Sequence, residues 1–286
     1  MNSSLWIKAA PSAKARTFPR SPLTKAESGK RKAETWDSRC RSGPLDEVLA
    51  VSPSTSAVRR PVSAFRFPLS ALSLLLLLAG CSSTALKGPD PSEPFAKEIQ
   101  QFLDADRTNP PPKNGILFVG SSSIRLWKTL AQDFPGQPVF NRGFGGSQII
   151  DSVHYADLII TPYRPKRIVI YAGGNDINAG KSPEQVYADF QILIDKIRKR
   201  LPQTEINYIS IAPNPARWAQ VDKVRATNRM IEDYARRHSK VTYIDVFSHM
   251  LGPDGQPKPD IYIADRLHMN ENGYALWKQL IAPYLK

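Results

Sequence analysis

The chain has 286 residues, 25 of them proline and only two cysteine, with a formal net charge of +13, and its length suits one or two domains. Residues 1–80 carry 13 Lys and Arg against 5 Asp and Glu, leaving 26 against 21 for residues 81–286. That second part is only mildly basic and has no Arg/Lys stripe interleaved with aromatics, which excludes a nucleic-acid partner, and Cys40 and Cys81 cannot build a disulfide framework or a zinc site.

Residues 1–57 mix Ser, Pro, Lys and Arg without sustained periodicity and read as a disordered leader. Arg59, Arg60 and Arg66 then precede an apolar run over 69–80, which is shorter than the roughly 20 residues needed to cross a bilayer. The ending Leu78-Ala79-Gly80-Cys81 resembles the bacterial lipobox, whose cysteine is lipidated and becomes the first residue of the mature chain. The resemblance implies a signal peptide over 58–80 and a membrane anchor on Cys81, with about 0.8 kcal/mol from each buried CH₂ of its acyl chains. It also implies a polar tether over 81–94 and a lipid-anchored place in the bacterial cell envelope, with the rest of the chain outside the cytoplasm. The bland alternative is a buried apolar helix with a chance cysteine. Signals of this kind stand at the N-terminus, so 1–57 is also readable as a mis-annotated leader, the true start lying near Val58.

From 95 to 286 the pattern is that of one domain. Phe95, Ile99, Phe102 and Leu103 mark an amphipathic helix that stops before Pro110. Residues 116–119 form an apolar run fit for a strand buried on both faces, ended by Gly120. Ser121, Ser122 and Ser123 follow where strand gives way to helix, with Ile124, Trp127 and Leu130 on one stripe. A second strand over 138–141 enters a Gly-rich turn. The helix after it, from 147 to about 160, places Ile149, Ile150, Val153, Ala156 and Leu158 on its apolar stripe. A third strand covers 167–172. Ser182, Pro183 and Gln185 supply cap, first residue and capping-box partner for a helix buried through Val186, Phe190, Leu193, Ile194 and Ile197. A strand over 205–211, a helix over 217–238, a strand over 241–246 and a closing helix with Tyr274, Trp277, Leu280, Ile281 and Tyr284 complete the chain. Alternating strands and helices of this kind argue an α/β fold with a parallel sheet covered on both sides. In such sheets ligands sit beyond the carboxyl ends of the strands.

Four loops at those ends hold polar or Gly-rich groups: 120–123, 143–147, 173–176 and 265–268. Acyl transfer needs a nucleophile, a base, a group that fixes the base, and donors for an oxyanion, and each role has a candidate here. Taken alone, Asn175-Asp176 is a turn pair and Asp265 with His268 a surface feature; the joint pattern carries the reading. His154 with Asp151 and Asp157 reads as a solvated helix face rather than a metal site, and Arg142 as a salt-bridge partner.

These blocks, in this order and spacing, resemble the SGNH/GDSL family of serine esterases and lipases, over roughly residues 114–286. The resemblance implies a three-layer α/β/α, flavodoxin-like sandwich around a five-stranded parallel sheet. By position it implies Ser122 as nucleophile, Asp265 and His268 completing the triad, and Ser122, Gly146 and Asn175 as oxyanion donors, with no cofactor and no metal. The family usually has Asp where Ser121 stands, which blurs which serine acts; register selects Ser122, with Ser121 and Ser123 bonding backbone or capping the helix. An ordinary imidazole changes charge near about pH 6.5, so such an enzyme loses activity as pH falls below neutral. The implied substrate is an ester of carbohydrate or lipid, with acetyl or short acyl groups favoured because no apolar lid segment is visible. The alternatives are a non-catalytic flavodoxin-like ligand-binding module and an inactive envelope lipoprotein.

Overall fold

A computed structural model describes residues 88–286, so the leader, the signal segment and Cys81 lie outside the described residues, as does the tether up to residue 87. The strands are β1 (Ile116–Gly120), β2 (Val139–Gly143), β3 (Arg167–Tyr171), β4 (Glu205–Ile209) and β5 (Val241–Ile244). All pair in parallel, in the order β2-β1-β3-β4-β5. The helices are α1 (Ala96–Thr108), α2 (Ser122–Arg125), α3 (Leu130–Asp133), α4 (Ile149–Ile159), α5 (Gly174–Asn178), α6 (Pro183–Arg200), α7 (Val221–Arg237) and α8 (Glu271–Ile281). Among the described residues no helix is long and apolar enough to cross a membrane.

Successive strand side chains point to opposite faces, and the unbroken apolar runs therefore feed two cores. Leu117, Val119, Ile168, Ile170 and Ile206 meet residues of α1, α4, α6 and α7 on one face. Ile116, Phe118, Val169, Ile209 and Ile244 meet Trp127, Phe134, Trp277 and Ile281 on the other. The result is the expected three-layer α/β/α, flavodoxin-like sandwich. Its α6 begins as its sequence dictates: Ser182 Oγ accepts from the Gln185 N–H at 3.3 Å, and Gln185 Oε1 accepts from the Ser182 N–H at 2.8 Å.

Three elements depart from the periodicity. The stripe of α4 is turned: Ile149, Ser152, Tyr155, Ala156 and Ile159 are buried while Ile150 is exposed, with Tyr155 in an inward position and its hydroxyl donating to the Pro94 carbonyl at 2.5 Å. The helix after the serines breaks into α2 and α3. Between them Trp127 leaves the helix to pack on Phe118 and Phe134 and donates from Nε1 to Asp133 Oδ2 at 2.7 Å. The helix expected from 217 starts at Val221, preceded by a 3₁₀ segment, Pro215–Gln220, kinked at Arg217.

Candidate active site

The four loops meet at the carboxyl ends of the strands, on either side of the point where the sheet order reverses between β1 and its neighbours β2 and β3. Gly120 ends β1 with φ +136°, and a Cβ there would stand 1.9 Å from the Tyr171 carbonyl oxygen. Only glycine lets β1 close on β3 at this end, where the Ser121 N–H donates to that same carbonyl at 3.0 Å. Ser121 then occupies the cap position of α2 in extended backbone, and of the two roles expected for its side chain the capping bond is not made. Ser122 is the first helical residue, so its N–H has no partner within the helix. Ser123 is buried, and its carbonyl accepts from Tyr274 Oη at 2.9 Å.

Ser122 Oγ lies 2.9 Å from His268 Nε2, and among the described residues it is the one hydroxyl hydrogen-bonded to that imidazole. On the other side of the ring, His268 Nδ1 lies 2.6 Å from Asp265 Oδ2. A carboxylate only accepts, so Nδ1 carries a proton and, in the neutral imidazole, Nε2 accepts from the Ser122 hydroxyl. The 265–268 turn is closed by its own carboxylate: Asp265 Oδ1 accepts the N–H groups of Leu267 and His268, each at 2.9 Å. Burial alone would raise the Asp265 pKa. The N–H of His268, its imidazole and the N–H of Leu267 outweigh that and hold the carboxyl below its ordinary value. The turn is fastened at both ends, by the Ile263 N–H on the His268 carbonyl at 2.9 Å and by Asn270, whose Oδ1 caps α8 and whose Nδ2 donates to the Asp260 carbonyl at 2.8 Å.

The 173–176 loop divides its two polar residues. Asp176 is fully buried, where it accepts from the Ile149 N–H at the start of α4 and from Lys181 at 2.8 Å. Burial pushes its pKa up, against the pull of Lys181. Asn175 instead lines the cleft, with Nδ2 donating to the Ser147 carbonyl at 3.0 Å and Oδ1 accepting from Arg217 Nη1 at 3.0 Å. Gly146, one residue before Ser147, is exposed in left-handed backbone with φ +81° and does not line the cleft. Arg217, read in sequence as the start of a regular helix, was not a candidate; its kinked 3₁₀ segment has no periodicity that would have marked it.

The cleft has a volume of about 480 Å³ including its solvent-filled mouth, and Ser122, Asn175, Arg217 and His268 line it over a base of Tyr171 and Trp277. That base is fixed: the two rings lie 4.7 Å apart edge to face, and Trp277 Nε1 sits 3.2 Å from Met250 Sδ. A smaller apolar cavity, lined by Ile211, Trp218, Val224 and Phe247, shares Arg217 with the cleft. The remaining candidates stand elsewhere. Arg142 pairs with Asp106 and donates to Tyr163 Oη at 3.0 Å, Asp157 pairs with Lys196 at 3.0 Å, and His154 packs on Tyr155. Among the described residues no group of His, Cys, Asp and Glu converges as metal ligands would.

Comparison with known proteins gives three findings. The model of the GDSL-like Lipase/Acylhydrolase family matches residues 118–276. No curated protein matches the sequence. Many solved structures share the fold, including a Streptococcus pneumonia protein named for platelet activating factor, at 23% identity and a TM-score of 0.60 over 66% of this chain and 92% of that one. A GDSL-like lipase from Bacteroides thetaiotaomicron is similar at 18% identity and a TM-score of 0.58, over 65% and 96%. An acetyl-xylooligosaccharide esterase from Geobacillus stearmophilus gives 14% identity and a TM-score of 0.51, over 61% and 96%.

Proposed function

This chain belongs to the GDSL-like lipase/acylhydrolase family, and from that membership we propose that it is a serine esterase that removes acetyl or other short acyl groups from carbohydrate or lipid. The observation that carries the reading is the continuous line from Asp265 through His268 to Ser122, at 2.6 and 2.9 Å. His268 takes the Ser122 proton as Oγ attacks the ester carbonyl, and Asp265 holds the imidazole in the tautomer that can accept it. The Ser122 N–H and the Asn175 amide, which line the cleft, meet the oxyanion; the Gly146 N–H, the third donor the family pattern implies, lies outside the cleft lining and is not given that role. His268 returns the proton to the departing alcohol, and water then cleaves the acyl-enzyme with the same imidazole as base. A flavodoxin-like binding module would leave the imidazole–hydroxyl contact without a use.

The preference for a short acyl group rests on the fixed aromatic base of Tyr171 and Trp277. A cleft able to take longer chains gains about 0.8 kcal/mol for each methylene buried, close to fourfold in kcat/KM per carbon. A series of p-nitrophenyl esters from acetyl to dodecanoyl is expected to be cleaved best at acetyl, with kcat/KM falling as the chain lengthens. A steady rise with chain length would contradict the short-acyl reading.

The same proposal places the enzyme in the bacterial cell envelope, held by acyl chains on Cys81 that leave the catalytic domain outside the cytoplasm. Supporting it are the lipobox-like run before Cys81 and the polar, Pro-containing stretch after it. Wild-type protein is expected in the membrane fraction and Cys81→Ser protein in the soluble or unprocessed one; equal membrane recovery of both would overturn the anchor.

A further inference from the structure

We propose that Arg217 is a positioning residue whose guanidinium fixes the Asn175 side chain so that its N–H₂ end, and not its carbonyl, serves the oxyanion. The catalytic consequence rests on the esterase reading above; the orientation itself does not. An asparagine amide has nearly the same shape after a half-turn about its last torsion, but the turn exchanges a donor for an acceptor. A flipped Asn175 would present a carbonyl oxygen to an oxyanion, changing a stabilising contact into a repulsive one.

Two neighbours decide between the orientations because each can play one role only. A guanidinium donates and never accepts, and Arg217 Nη1 lies 3.0 Å from Asn175 Oδ1. A backbone carbonyl only accepts, and the Ser147 oxygen lies 3.0 Å from Asn175 Nδ2. The flipped amide would set donor against donor at the first and acceptor against acceptor at the second. Arg217 can act as a fixed reference because it is itself fixed. Nη1 also donates to the Gly174 carbonyl at 3.2 Å, and the Arg217 N–H donates to Asn214 Oδ1 at 2.9 Å. The preceding residue, Ala216, donates its N–H to the Arg266 carbonyl at 3.1 Å, joining this 3₁₀ segment to the turn that holds Asp265 and His268. The kink at Arg217 thus brings the guanidinium against the 173–176 loop at the edge of the cleft.

Kinetics on p-nitrophenyl acetate test this with Arg217→Met, Arg217→Lys, Asn175→Ala and the double variant Arg217→Met/Asn175→Ala. Asn175→Ala is expected to lower kcat by about 10²–10³-fold, as loss of an oxyanion donor does. Arg217→Met is expected to lower kcat roughly 10- to 100-fold, the cost of a misplaced group, with KM changed by less than about twofold. Arg217→Lys, which keeps one donor on a flexible stem, should recover part of that loss. In the Asn175→Ala background Arg217→Met should cost almost nothing more. Losses that multiply in the double variant, or a raised KM at unchanged kcat, would show that Arg217 works on the substrate or on the fold instead and would overturn the proposal. A second measurement needs no turnover: the Asn175 side-chain N–H₂ pair, identified in ¹⁵N-correlated NMR spectra by its loss in Asn175→Ala, is expected to shift and broaden in Arg217→Met. An unchanged pair overturns the proposal even if no ester is cleaved, and a shifted pair in a protein inert toward esters sustains the orientation while sinking the esterase reading.

Discussion

Ser122→Ala is expected to lower kcat by about 10⁶-fold, and Ser122→Ala/His268→Ala by scarcely more, because a nucleophile and its base act as one unit. The geometry behind this is the single 2.9 Å contact between Ser122 Oγ and His268 Nε2. Without the hydroxyl the imidazole has no proton to take, and without the imidazole the hydroxyl is a poor nucleophile. Ser121→Ala and Ser123→Ala are expected to leave most of the activity, since neither hydroxyl is hydrogen-bonded to the ring. Steady-state rates on p-nitrophenyl acetate decide the matter. Multiplicative losses in the double variant, or an active Ser122→Ala protein, would show that another group is the nucleophile.

Asp265→Asn is expected to lower kcat by about 10⁴-fold with KM little changed. The amide is the same size as the carboxylate but can donate to Nδ1, which turns the ring to the tautomer whose Nε2 carries the proton and cannot accept one from Ser122. In the wild type the sign of the Asp265 shift sets a pH window. Its carboxyl is held below its ordinary value, so its hold on the imidazole is complete above the ordinary carboxylate range and is lost only as pH falls through the lower, folded value. Loss of activity at weakly acidic pH therefore does not report protonation of Asp265. A lowered plateau in Asp265→Asn is the expected result. A kcat within about tenfold of wild type would mean that Asp265 does not set the tautomer.

How far these residues could be read in advance depended on what kind of signal each one leaves. The strands announced themselves as short apolar runs such as 116–119, and the sheet observed is the one they imply. Ser122, Asn175, Asp265 and His268 stood out because they occur in one order at loop positions, and the fold carries Ser122, Asn175 and His268 to one cleft with Asp265 on the far side of the imidazole. Gly146 came from the same pattern and sits beside that cleft rather than in its wall. The part that was illegible depends on contacts between segments far apart in the chain. Ile150 fits an apolar stripe as well as Ile149 does, yet α4 buries Ile149 and Tyr155, whose hydroxyl reaches the Pro94 carbonyl, and leaves Ile150 facing outward. Arg217 looked like one more basic residue near a helix start, and nothing local to it predicts the kink or the 42-residue step to Asn175. Asp176 and Asn175 are adjacent, yet one is buried with its carboxylate on the first N–H of α4 and the other faces the cleft. A turn pair by itself does not say which residue goes which way.

The most direct measurement is covalent labelling with a fluorophosphonate, followed by mass spectrometry of the peptide that carries Ser121, Ser122 and Ser123. One adduct, on Ser122, is expected, with labelling abolished in Ser122→Ala and slowed by orders of magnitude in His268→Ala. An adduct on Ser121 or Ser123, or undiminished labelling of Ser122 once the imidazole is gone, would contradict the assignment of this serine and this histidine as nucleophile and base.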